Sequence, residues 1–147
     1  MGDREEYHSI SAVRRARAEP DAIAPDGSEI RLLAGEADGI KRASACEVTL
    51  PAGAVSKPVW HKQVEEVWYI LEGSGNVWRC PPGTAPALAN PVEVTPGDAV
   101  TIPTGWRFQF RAGAEGRLRF LCVTCPPWPG ADEAQPAPDG GYWTVTV

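Results

Sequence analysis

The sequence predicts an all-β protein built as a single antiparallel barrel, and three observations predict it. Fifteen glycines and fifteen prolines among 147 residues punctuate short apolar runs, the rhythm of strands and turns. The stretch from Gly53 to Gly73, GAVSKPVWHKQVEEVWYILEG, opens on a glycine turn; its run from Val67 to Leu71 is β-branched and aromatic and stops at Glu72-Gly73. The stretch from Gly97 to Arg111, GDAVTIPTGWRFQFR, repeats that plan as glycine, short strand, Pro-x-Gly turn and aromatic strand. A chain of this length forms one domain and buries a core without disulfide or metal staples.

Taken in order, residues 1–27 read as an arm. Ser9 or Ser11 caps a short helix over AVRRARAE, halted before Pro20, so residues 9–19 are the one helical expectation. Its three arginines make a basic face for solvent or a partner subunit. Pro25-Asp26-Gly27 is a turn and Glu29 to Leu33 the first strand. Along Ala43 to Leu50 the alternation sets Cys46, Val48 and Leu50 on one face, with Glu47 and Thr49 on the other. After Gly73-Ser74-Gly75, Asn76 to Cys80 returns as the second strand of a hairpin. The proline-rich residues 81–91 form a loop, and Val92 to Val94 is a short strand. Leu118 to Cys125 is the last core strand. Residues 128–147 make a tail: a Pro- and acid-rich stretch wandering over the surface, then Tyr142 to Val147 with strand character, free to pair with an edge. The count comes to about eight to ten strands, as a barrel or jelly roll requires.

The two glycine-led stretches resemble the paired motifs of the cupin superfamily, small β-barrels of two packed antiparallel sheets. In the first family motif a glycine is followed by His-x-His, a glutamate and a closing glycine. Gly53, Glu66 and Gly73 fall in register, and His61 takes the second histidine position. Val59 stands at the first. In the second motif Gly97, Pro103 and Gly105 match, while Phe108 holds the histidine position and Ala112 the asparagine position. The resemblance covers roughly residues 28–127 and implies a cupin-type barrel, or double-stranded β-helix. It also implies that two of four usual metal ligands are missing.

His61 and Glu66 are therefore the candidate catalytic pair, expected to titrate as coupled groups, and the ligands if any metal is held. Strand alternation puts Glu66 on one face with Trp68 and Ile70, so its carboxylate lines a pocket or is buried at a cost. Around the pair the expected substrate-binding wall comprises Cys46, Gln63, Trp68, Trp106, Phe108 and Phe110. Gln63 enters because His61-x-Gln63 can stand in for His-x-His, and Gln109 is expected on the opposite face from Phe108. Trp128 and its prolines are placed to fold over the barrel mouth. An aromatic wall with a few convergent polar groups is how small-molecule sites are built.

The net charge of −5 argues against nucleic-acid and anionic-membrane partners. No apolar window is long enough to span a bilayer and the charged N-terminus lacks a signal-peptide core, so a cytoplasmic protein is expected. Four reduced cysteines follow from that compartment, with Cys122 and Cys125 as neighbouring buried thiols in a strand rather than a redox pair. Three functional readings stay open: a cupin-type isomerase, cyclase or lyase using His61 and Glu66; a non-catalytic ligand-binding cupin; and a dioxygenase-like metal enzyme with an incomplete ligand set. The expected cofactor is none, with a weakly bound divalent transition metal as the exception. The expected partners are a small-molecule ligand and a second copy in a homodimer.

Overall fold

The computed structural model describes residues 13–147. The strands are β1 (Ala22–Ile23), β2 (Glu29–Ala34), β3 (Ser44–Leu50), β4 (Val59–His61), β5 (Glu65–Glu72) and β6 (Gly75–Cys80). They continue as β7 (Val92–Val94), β8 (Ala99–Ile102), β9 (Arg107–Ala112), β10 (Leu118–Cys125) and β11 (Ala134–Pro136). They pair antiparallel into a six-stranded sheet, ordered β1-β2-β3-β10-β5-β8, and a five-stranded sheet, ordered β11-β4-β9-β6-β7. Among the described residues, helical structure is confined to short 3-10 turns. The protein is all-β, a jelly-roll barrel, as its alternation and turns dictate.

Period-two patterning makes the core. In β5, Glu66, Trp68 and Ile70 are buried while Val67, Tyr69 and Leu71 face out. In β9, Phe108 and Phe110 point inward, and β10 adds Leu118, Phe120 and Cys122 from the opposite sheet. Trp68 stacks on Phe120 with centroids 4.2 Å apart and meets Phe110 edge-on at 5.1 Å. Each such buried aromatic contributes about 1.5–3 kcal/mol by leaving water. Gly73 closes the β5–β6 hairpin at φ 78°, and a Cβ there would collide with the carbonyl of Arg117.

The structure corrects the sequence reading at both ends. Residues 13–19 are not helical; the part of the expected helix over residues 9–12 lies outside the described residues. The backbone carbonyls of Arg17 and Ala18 accept hydrogen bonds from the Arg31 guanidinium, which draws the segment alongside β2. Arg14 and Arg17 pair with Asp38 and Asp21 of the same chain, which gives these two arginines partners within the fold.

The tail does not wander. Residues Ala134–Pro136 pair with β4 as a sheet strand, Ala134 opposite His61. Buried Glu133 accepts the backbone N–H groups of Gln63 (2.5 Å) and Val64 (3.0 Å). Residues 142–147 form no strand; Thr146 bonds the backbone of Val55, and Tyr142 and Trp143 are clamped by Gln109, fully buried on the outer face of the five-stranded sheet. Its Oε1 accepts from the N–H groups of Tyr142 and Trp143, and its Nε2 donates to the carbonyls of Ser56 and Trp143, each at 2.9 Å. Arg111 lies 4.7 Å over the Trp143 ring. At the end of β10, Cys125 is exposed while Cys122 is buried, because an odd spacing in a strand points two side chains to opposite faces.

Candidate functional site

Between the sheets lies a cavity of about 300 Å³. The six-stranded sheet supplies Glu66 and Trp68 from β5, Cys46 and Val48 from β3, and Phe120, Cys122 and Thr124 from β10. The five-stranded sheet supplies Val59 and His61 from β4 and Phe108 and Phe110 from β9. The remaining wall comes from both termini: Asp26 and Ser28 in the β1–β2 turn, and Trp128 beyond β10. Trp128 is held by its N–H on Ser44 Oγ at 3.0 Å and reaches His61, as the sequence suggested for a segment folding over the mouth.

Glu66 is only 8% exposed. One oxygen accepts the indole N–H of Trp68, two residues along the same face, at 3.0 Å. Burial raises its pKa to about 7, against the opposing bonds from Trp68 and the Cys122 thiol; the Asp26 charge pushes the same way as burial. The carboxyl is thus poised between acid and base near neutrality. Cys122 sits directly opposite Cys46 across the β3–β10 ladder. The bond with Cys46, then burial and the Glu66 charge, push the Cys122 thiol well up, so it remains a protonated donor.

His61 is 4% exposed, with Phe108 and Trp128 edge-on to its ring at 5.1 Å each. Its Nδ1 has no hydrogen-bond partner. Burial lowers its pKa to about 4, opposed by the charge of Glu133, so the imidazole is neutral at physiological pH. The charge of Glu133 bears on His61 and that of Asp26 on Glu66. The two side chains stand on different sheets, each governed by its own burial.

Of the residues expected in the wall, Cys46, Trp68, Phe108 and Phe110 line the cavity with His61 and Glu66. Gln63 does not; it is exposed in the β4–β5 turn, where its backbone is tied to Glu133 and Thr104. Trp106 is half-buried and outside the cavity lining. Asp26 is a wall residue that the sequence reading missed. It is half-buried, its Oδ1 accepts from the Ser28 N–H (2.9 Å) and O–H (2.6 Å), and burial raises its pKa. Pro-Asp-Gly signals a turn, but nothing local signals that the turn lies against a barrel interior.

The donor set does not fit the metal that cupin motifs usually carry. Val59 and Phe108, the two replaced histidine positions, are cross-strand partners on β4 and β9. Their joint replacement removes adjacent ligands and leaves an apolar patch beside His61. Among the described residues no group of three or more His, Cys, Asp and Glu is arranged to hold an ion, and fewer than three protein ligands do not make an ordinary transition-metal site.

The fold and the cavity define a cupin barrel, and comparison with known proteins agrees. The cupin domain family profile matches residues 46–124, and the chain belongs to that family. An uncharacterised protein of Methanocaldococcus jannaschii, MJ1618, is 34% identical over 125 residues, 79% of this chain and 90% of that one. Among solved structures, the polyketide cyclase RemF from Streptomyces resistomycificus superposes with a TM-score of 0.61 at 27% identity, over 86% of this chain and 80% of that one. KdgF from Halomonas sp. gives 0.62 at 18% identity over 81% and 96%. Oxalate decarboxylase from Bacillus subtilis gives 0.65 at 22%, over 87% of this chain but 31% of its own length. The last two likenesses are of fold alone.

Proposed function

We propose that the protein is a cupin-fold enzyme that moves protons on a small organic substrate, in an isomerisation, cyclisation or elimination, without a resident metal. One observation carries the reading: a carboxyl whose pKa lies at about 7 lines the same cavity as a neutral imidazole. A general acid or base works best with a pKa near the operating pH, and desolvation gives Glu66 that value. His61, neutral, orients the substrate by a hydrogen bond rather than by charge. The likeness to a polyketide cyclase supports a carbonyl-bearing substrate, whose cyclisation needs a proton taken from carbon and another delivered to oxygen.

The test is proton exchange in D2O, followed by NMR, on a panel of enolisable aromatic ketones and cyclic diketones. The wild-type protein should exchange the α-protons of some members far above the buffer rate. Glu66→Gln should lose about a hundredfold or more of that exchange. Binding without any exchange would move the protein to the ligand-binding reading. Exchange requiring a stoichiometric transition metal would move it to the metal-dependent one.

A further inference from the structure

We infer that the cavity selects an uncharged, ring-bearing ligand with a hydrogen-bonding oxygen at each end, one meeting His61 and the other Glu66, and rejects carboxylate and phosphate ligands. This rests on the cavity being a small-molecule site and goes further by fixing the ligand's charge and shape.

Charge comes first. Among the described residues no lysine or arginine lines the cavity. Glu66 takes its bonds from an indole N–H and a thiol, not from a cation. Asp26 adds a second carboxyl in the same wall, and Lys57, whose charge bears on it, is exposed. An anionic head group entering would lose its hydration, gain no counter-ion and face two acids.

An organic cation fits poorly for a different reason. Cation recognition needs open aromatic faces. Here Trp68, the largest ring on the inner face of β5, gives one face to Phe120 and meets Phe108 and Phe110 edge-on, so its neighbours already engage it. The rest of the lining, with Val48, Val59, Phe108 and Phe110, is apolar and suits a planar hydrocarbon frame.

The polar contacts then fix the ends. His61 lines the cavity, and none of the described residues bonds its ring nitrogens; Nδ1 is itself enclosed by protein, so the ring is left to meet a ligand through Nε2. On the other sheet Glu66, largely protonated below about pH 7, can donate to a carbonyl or phenolic oxygen. A volume of about 300 Å³ is at the small end for ligand pockets and accommodates a frame of roughly two fused rings.

Calorimetric titration with one two-ring skeleton tests this, a hydroxyl fixed at one end and the head group varied at the other: a second hydroxyl (the naphthol), a carboxylate (the naphthoate) or a methylammonium (the ammonium), at about pH 6, where Glu66 is mostly protonated. Naphthol should bind at least about tenfold more tightly than either ion. Its affinity should fall about tenfold in His61→Phe, which keeps the ring packing but removes the nitrogen. Val59→Trp, which fills the cavity, should abolish binding, with circular dichroism confirming that both variants are folded. Preference for naphthoate, preference for the ammonium, or no binding by any probe would each overturn the inference. The catalytic reading is judged separately by proton exchange: naphthol preference with no exchange would leave the ligand class standing and remove the enzyme.

Discussion

The two sheets of the barrel divide their labour, and each does so on both faces. Inside, the six-stranded sheet keeps the acid chemistry: Glu66, the Cys46–Cys122 pair and Thr124. The five-stranded sheet has gone apolar, with Val59 opposite Phe108 and a solitary histidine beside them. Outside, the contrast reverses. The five-stranded sheet is covered by its own tail through the Gln109 clamp, whereas the six-stranded sheet leaves Val67, Tyr69 and Leu71 exposed. The lesson concerns what apolar residues at two motif positions do to a barrel interior. With Val59 and Phe108 as cross-strand neighbours one wall is a hydrophobic platform, while burial on the other sheet raises the pKa of Glu66.

The largest effect should come from removing the joint between the sheets. Trp68→Ala deletes the ring that touches Phe108, Phe110 and Phe120 and should cost about 3–5 kcal/mol in urea unfolding. A loss under about 1 kcal/mol would mean the walls hold together without it.

Next come the opposite pH signatures of the two walls. Glu66 has its folded pKa raised from 4.5 to about 7, so its folded state holds a proton that the unfolded state releases. That contribution is complete below about pH 4.5 and is lost as pH rises through about 7. His61 has its folded pKa lowered from 6.5 to about 4; its contribution is present above about pH 6.5 and lost as pH falls through about 4. Glu66→Gln should therefore gain about 2–3 kcal/mol relative to wild type between about pH 4.5 and pH 8. His61→Gln should show its relative gain on the acid side. Identical pH profiles for wild type and both variants would erase the distinction between the walls.

On the outer faces, Gln109→Leu strands two N–H groups of the tail and the carbonyls of Ser56 and Trp143, and should cost about 1–3 kcal/mol. Hydrogen exchange should quicken over residues 142–147 before it does elsewhere. For the other sheet, we propose that the exposed face of β5 joins two copies in a homodimer. Tyr69→Glu, on that face, should halve the sedimentation mass while changing the monomer's stability by less than about 0.5 kcal/mol. An unchanged mass would place any dimer contact elsewhere.

Much of the barrel was legible because its signals are local. Alternation alone placed Glu66, Trp68 and Ile70 inside, and the motif glycines marked the turns, Gly73 among them at a position no side chain tolerates. Cys46 followed from the same alternation in its own strand, whereas Cys122 and Thr124 were not among the expected wall residues. What escaped the sequence was placed by distant partners. Asp26 belongs to a turn whose backbone is tied to Lys57, with Val147 packed against Gly27. Glu133 looks like one acid in a polar tail until the N–H groups of Gln63 and Val64 are seen to need it. The expected helix near residue 17 lost to the guanidinium of Arg31, which offers its carbonyls hydrogen bonds that a short, unsupported helix cannot match. Gln63 and Trp106 were drawn into the expected site by proximity in the chain, yet their turns face outward.

The central claim is that Glu66 is a desolvated acid without a cation, and its titration tests that most directly. Infrared difference spectra between wild type and Glu66→Gln, taken across pH on metal-free protein, isolate this carboxyl from the others. The account predicts a protonated-carboxyl band that disappears with a midpoint at about 7. A midpoint near the ordinary glutamate value of about 4.3 would contradict it, and with it the assignment of the acid wall as the working half of the site.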